Sequence, residues 1–140
     1  YDGLIEQLGG QPTPAVGFGL GLERFLMLLE ERGKLPPPPP GPALYAVGIG
    51  EAGRAAARRL AARLRTMGLA AETDLADRSV KAQMKAAGRL GAAFTTVLGD
   101  DEVAAGKAML KNMDAGTEVP FELAATDALY DLLTAPVTGA

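Results

Sequence analysis

Residues 34 to 42, Lys-Leu-Pro-Pro-Pro-Pro-Pro-Gly-Pro, constrain the fold of this chain more than any other stretch. Proline fixes φ and carries no N–H, so five in succession exclude a helix interior and a sheet centre alike. The run is expected to adopt polyproline II, rising about 3.1 Å per residue to make a stiff arm of roughly 20 to 25 Å. It divides the chain into a short segment, 1–34, a spacer, 35–42, and a longer segment, 43–140. SH3 and WW domains also read such runs, but between two patterned segments the linker reading comes first. Residues 1–34 have room for a turn of helix, a strand and a helix, too little for a core of their own. They are expected to belong to a sheet whose other strands lie upstream.

Within the short segment, Gly17, Gly19 and Gly21 alternate with Val16, Phe18, Leu20 and Leu22. In a strand, a period of two puts all the bulk on one face and leaves the other bare. Regularly spaced glycines suggest a flat group, such as adenine, approaching the backbone; a bulge or close packing against a neighbouring strand explains them equally well. Leu22 to Glu31 then reads as a helix without Gly or Pro, placing Arg24 in its first turn. A cation is poorly placed there by the helix dipole, which argues for a ligand; a solvated side chain is the plainer alternative.

The chain contains neither Cys nor His. That excludes disulfides, thiolate metal sites, Ser-His-Asp and Cys-His catalysis and most zinc sites. No metal site is expected in this segment, and any chemistry falls to arginine, carboxylates, backbone amides and bound ions. No apolar run approaches the roughly 18 residues needed to cross a bilayer, so no membrane partner is expected.

Beyond the spacer, strands and helices alternate. Ala43–Ile49 reads as a buried strand and Glu51–Met67 as a helix, with Ala57, Leu60, Leu64 and Met67 on one face and Arg54, Arg58 and Arg65 solvated on the other. Leu69–Thr73 is a short strand, Ser79 caps a helix running to Leu90, and Ala92–Leu98 is a third strand leading to the acidic turn Gly99-Asp100-Asp101-Glu102. Lys107–Met113 and Thr117–Leu123 flank Asp114-Ala115-Gly116 as a hairpin, and Thr126–Leu133 closes as a helix. The expected class is α/β, a mixed sheet covered by helices.

Charge is unevenly distributed over this segment. Residues 51–91 carry a net +5 and residues 92–140 a net −6, within a chain of net charge −3. Lys81, Lys85 and Arg89 recur every four residues as one helix stripe, with Arg78 just before it. Such a stripe suits phosphates, although a plain solvated face is the competing reading. No aromatic residue interleaves with it, so base stacking there is not supported.

Gly48-Ile49-Gly50-Glu51-Ala52-Gly53 matches the dinucleotide fingerprint between strand and helix, with Glu72 and Asp74 about twenty residues on. A Rossmann-type module using Gly48, Gly50 and Gly53 is therefore an alternative. The small size of the segment and its acidic hairpin count against it.

Two stretches resemble a known family. Pro14-Ala-Val-Gly-Phe-Gly-Leu-Gly-Leu-Glu-Arg24 is similar to motif 3 of the class II aminoacyl-tRNA synthetases, and Tyr1-Asp-Gly-Leu-Ile-Glu-Gln-Leu-Gly-Gly10 resembles the second half of the Gly-Gly-Arg-Tyr-Asp-Gly-Leu motif of the histidyl-tRNA synthetase family. Residues 43–135 resemble the anticodon-binding domain of the histidyl, prolyl, threonyl and glycyl synthetases. That match is most specific at Ser79 to Gly91 and Val97 to Glu102, and Lys111 falls where family members often carry a lysine.

The resemblance implies that Gly17, Gly19 and Gly21 underlie the adenine of ATP and that Arg24 is the catalytic, ATP-binding arginine. It implies that Tyr1 lines a histidine pocket and that 43–135 reads a tRNA anticodon, with Arg78, Lys81, Lys85 and Arg89 on the tRNA side. ATP and histidine as substrates, Mg2+ in the full-length parent, a homodimer and a cytoplasmic location are further implications. Because the chain opens inside a motif, it is expected to be the C-terminal part of a longer enzyme. Motif 1, the motif 2 arginine and the Arg-Gly-Leu-Asp-Tyr-Tyr motif are missing, so the fragment alone is expected to be inactive. A non-catalytic, synthetase-like regulatory protein is the remaining alternative.

Overall fold

The computed structural model describes residues 1–135, which fall into two compact units, Tyr1–Pro38 and a second that begins at Pro39. In the first, Leu4–Gln7 forms a single helical turn (α1) and Leu22–Glu31 a ten-residue helix (α2). The expected strand through Gly17, Gly19 and Gly21 is absent: residues 11–21 are irregular, and the side chains of Val16 and Phe18 are 98% and 94% exposed. A strand exists only as one member of a hydrogen-bonded ladder. Nothing among residues 1–38 supplies the neighbouring strand, so the alternation remains in the sequence without a sheet.

The second unit contains β1 (Leu44–Gly48), α3 (Gly50–Thr66), β2 (Ala71–Thr73), α4 (Val80–Arg89), β3 (Phe94–Leu98), α5 (Asp100–Ala105), β4 (Lys107–Asn112), β5 (Glu118–Glu122) and α6 (Thr126–Thr134). The strands form one sheet in the order β2-β1-β3-β4-β5; β1 pairs in parallel with β2 and β3, while β3–β4 and β4–β5 are antiparallel. This is the mixed, helix-covered α/β sheet expected. The hairpin turns at Gly116, whose φ of +67° suits a residue without Cβ, while Asn112 Oδ1 accepts from the N–H groups of Asp114 and Ala115. Pro120, which has no N–H to give, occupies the edge strand β5 opposite Met109.

Sequence periodicity and core agree closely on α3. Ala57, Leu60 and Leu64 pack with Leu44 and Ala46 of β1, Leu98 of β3, Leu110 of β4, Phe121 of β5 and Leu129 and Leu133 of α6. The opposite face of the sheet carries a much thinner apolar layer, in which Tyr45 and Val47 meet Ala86 and Ala87 of α4 and Ala92. Expected as a turn, Gly99 to Glu102 instead starts a helix, α5. Asp100, Asp101 and Glu102 fill its first turn, where carboxylates suit the dipole, and Glu102 Oε2 accepts from Gly99 N at 2.8 Å.

Two residues at the heart of this packing predict measurable stability changes. Thr96 is 1% exposed and its Oγ1 has no hydrogen-bond partner, so Thr96→Val is expected to raise unfolding stability by about 1 kcal/mol. A Cβ on Gly53 would collide with the carbonyl oxygen of Leu98, so Gly53→Ala should lower stability by about 1–3 kcal/mol. Urea unfolding of the purified chain checks both signs.

Candidate functional site

In the first unit, the structure brings Tyr1 and the glycine segment together. Tyr1 N donates to Ala15 O at 2.9 Å, Ala15 N donates to Asp2 Oδ1 at 3.2 Å, and a Cβ on Gly17 would lie 2.7 Å from Tyr1 Cε2. The Tyr1 ring, itself 66% exposed, thus lies over the bare face of Gly17. Gly19 faces open space, and Gly21 is the N-cap residue of α2. Arg24 occupies the third position of that helix, exposed and without an ion pair or side-chain hydrogen bond among the described residues. Tyr1 and Gly17 therefore share one contact, in which Arg24 takes no part.

In the second unit, the fingerprint glycines serve packing. A Cβ on Gly48 would lie 2.6 Å from Arg54 Cα, and Gly53 closes α3 onto β3. Gly50 has φ +67°, and the space beside it is taken by Asp100, whose Oδ1 would lie 3.2 Å from an added Cβ. A carboxylate at the start of α3 opposes the pyrophosphate that a dinucleotide would place there. The Rossmann reading is thereby overturned.

Parallel β1 and β3 carry α3 and α4 on opposite faces, and in such sheets ligands favour the crevice beyond the strand ends. Here Asp100 occupies it beside Gly50, and Ile49 N donates to Leu98 O across it, while the β2 side of the same strand end is closed by polar side chains. Gln83 of α4, 1% exposed, accepts from Gly48 N at 3.1 Å and donates to Gly48 O at 3.0 Å and Arg78 O at 2.7 Å. Beside it Asp74, 3% exposed, accepts from the N–H groups of Ala76 and Arg78 at 3.1 and 2.9 Å and from the Arg78 guanidinium. Burial alone would raise the Asp74 carboxyl, but the Arg78 N–H, the Arg78 guanidinium and the Ala76 N–H together hold it below its ordinary value. Burial and the Asp74 charge push the Tyr45 phenol up. Arg54, expected to be solvated, instead pairs with Asp77 at 2.9 Å, and Arg65 with Glu72 at 3.0 Å.

Of the four basic residues singled out in the sequence, Arg78 is engaged by Asp74 and lies outside the stripe. Lys81, Lys85 and Arg89 run along the exposed side of α4 with no acidic partner among the described residues, whereas Lys107 and Lys111 are paired across the hairpin with Glu122 and Glu118. Ser79 caps the helix, its Oγ accepting from Ala82 N at 3.4 Å.

A cleft of about 350 Å³ opens on the sheet, lined by Met84 of α4, Thr95 and Val97 of β3, Glu102 of α5, Met109 and Lys111 of β4 and Glu118 of β5. Met84, Val97 and Met109 give it apolar surface, Thr95 and Thr96 line it as well, and Lys111 and Glu118 pair at 3.7 Å. The sequence reading passed over this site apart from Lys111. The available signal was the alternation on β4, which puts Met109 and Lys111 on one face and Ala108 and Leu110 on the buried one.

Similarity to known proteins agrees with this architecture. The family described as "Anticodon binding domain" matches residues 44–130, well over half of the chain. The chain belongs to that family. It is 46% identical over 123 residues to a histidine–tRNA ligase of Acetivibrio thermocellus, covering 88% of this chain and 30% of that protein. With the corresponding ligase of Symbiobacterium thermophilum the identity is 49% over 120 residues, covering 84% and 28%. The crystal structure of apo histidyl-tRNA synthetase from S. aureus superposes with a TM-score of 0.62 at 39% identity, covering 95% of this chain and 33% of that one. The chain thus spans about a third or less of these relatives' length, and the similarity extends from the anticodon-binding domain into the segment before the prolines. Neither the dinucleotide reading nor the regulatory one finds support here.

The buried carboxylate gives a pH prediction. Because Asp74 has a lowered pKa in the folded chain, its contribution to stability is complete above the unfolded value of about 3.9 and is lost as pH falls through the folded one. Asp74→Asn should therefore lower the urea midpoint at pH 7 and flatten its decline below about pH 4. Parallel curves for the two proteins would contradict this assignment.

Proposed function

We propose that this chain is the C-terminal part of a histidine–tRNA ligase, supplying one wall of the ATP site and the tRNA anticodon-binding domain. Residues 1–34 belong in this reading to the catalytic domain, 35–42 are the spacer and 43–140 the anticodon-binding domain. The observation that carries it is the pairing of a cationic row without acidic partners among the described residues, Lys81, Lys85 and Arg89, with the cleft lined by Met84, Val97 and Met109. Single-stranded RNA asks for both elements, phosphate contacts for affinity and a bed on which an unstacked base can rest. Met84, Val97 and Met109 offer that bed without aromatic stacking, and Lys111 and Glu118 offer a donor and an acceptor to a base edge. The relatives named above are histidine–tRNA ligases, which makes histidine tRNA the expected ligand.

The parent would activate histidine with ATP, release pyrophosphate and transfer the histidyl group to its tRNA, acting as a cytoplasmic homodimer. In that setting Gly17, Gly19 and Gly21 leave room for adenine, Tyr1 lines the histidine pocket, and Arg24 stabilises negative charge developing on the phosphates. No proton transfer is asked of Arg24. Magnesium accompanies ATP in such a reaction, but no three metal-ligating side chains converge among the described residues.

Two measurements test the reading. Replacing Lys81 and Lys85 with Ala should weaken binding of transcribed histidine tRNA and reduce the magnitude of the salt slope by about 1 per lysine; unchanged affinity and slope would reduce the row to a solvated face. In a full-length ligase containing this segment, Arg24→Ala should cut ATP–pyrophosphate exchange by roughly 10²–10³-fold with tRNA affinity nearly intact. An unaltered exchange rate would remove Arg24 from the mechanism.

A further inference from the structure

Strand β2 is only three residues long, and its last partner on β1 is Ala46, opposite Thr73. In a strand, residues two apart direct their N–H and C=O groups to the same side. Gly48 therefore presents both groups toward the place β2 has already vacated. Left there, a buried donor and a buried acceptor would have no partner.

Gln83 supplies the missing rung. Its Oε1 accepts from Gly48 N and its Nε2 donates to Gly48 O, so the side-chain amide takes the place of a backbone peptide group. Nε2 also donates to Arg78 O, immediately before Ser79 caps α4. A helix is in this way attached to a strand end by two directional bonds, while a third holds the same side chain to the segment that leads into the helix. Apolar contact cannot do the same work here. In the layer between α4 and the sheet, the helix buries only Ala86 and Ala87 against Tyr45 and Val47, with Met84 and Val97 partly buried beside them, and two alanines interlock too little to fix a helix's height and rotation.

We propose that Gln83 is a positioning residue for RNA recognition: by completing the β1–β2 ladder, it sets where Lys81, Met84 and Lys85 stand relative to the sheet cleft. This rests on the reading of α4 and the cleft as the tRNA face. Gln83 touches no RNA itself, being buried on the opposite side of the helix from the lysines.

The test uses the 140-residue chain with Gln83→Glu, which keeps the size but puts a second acceptor oxygen where the amide donor stood, and Gln83→Met, which loses every directional bond. Amide hydrogen exchange is read first and needs no RNA: exchange across residues 81–89 should quicken at least tenfold in both variants, with 60–64 of α3 unchanged. Unchanged exchange in α4 overturns the proposal, and equal acceleration in α3 does so too, since it signals general loosening. Histidine-tRNA binding is read second, as a cycle with Lys81→Ala. Gln83→Glu should weaken binding by about tenfold, and Lys81→Ala should then cost clearly less in the Gln83→Glu background than in the parent. Unweakened binding, or the same factor in both backgrounds, overturns the positioning role. If Lys81→Ala and Lys85→Ala leave the parent's affinity untouched, the RNA reading of α4 falls instead, and the exchange result still decides whether Gln83 fixes the helix.

Discussion

Burial of β1 on both faces is the constraint from which the second unit follows. All five residues, Leu44 to Gly48, are buried, and the strand is paired on either side. A strand in that position must be apolar throughout, which is why Leu-Tyr-Ala-Val-Gly shows no alternation. It must also end where two helices begin to converge. Gly48 and Gly53 let α3 approach, and Gln83 brings α4 to the same point. Closing that point has a functional corollary. The crevice where a parallel sheet commonly holds a ligand is spent on structure, and the open surface is left on the β3–β5 side, beneath the exposed edge of α4.

The two faces of the sheet have divided the labour. The α3–α6 face holds nearly all of the large aliphatic side chains and supplies cohesion. The other face is held by Tyr45, Val47 and a few alanines and by polar groups with fixed geometry, Gln83 and the Asp74–Arg78 pair. Such a face tolerates a half-exposed cleft with Met109 and Lys111 in it because the core does not depend on covering it. Arg54 and Arg58 on Asp77, and Arg65 on Glu72, consume cations that composition alone would have counted as surface charge. What remains unpaired on α4 is correspondingly informative.

Much of this was legible from residues. Apart from α5, which the sequence presents as an acidic turn, the strand and helix order of 43–134, the Ser79 cap and the turn at Gly116 follow from periodicity and turn chemistry, and the lysines of α4 from their spacing. What escaped has a common physical character. Gly48, Gly50 and Gly53 match a ligand motif by spacing, but their purpose lies in Arg54, Asp100 and Leu98, two of which are distant in sequence. The cleft joins Met84 to Met109 and Glu118, again a long-range meeting that no local pattern announces. Gly17, Gly19 and Gly21 were read as strand because alternation was the only signal; pairing partners decide that outcome, and residues 1–38 hold none.

Pro120 has a consequence for the company this sheet keeps. Open sheet margins are templates on which other chains can add, and a long regular margin invites filaments. One margin here is β2, only three residues long; the other is β5, where Pro120 interrupts the row of donors and Glu118 and Glu122 flank the gap. A newly made copy of this unit, crowded among others, thus offers its neighbours no continuous strand to join. The fold protects itself from polymerising with side chains that contribute nothing to its core.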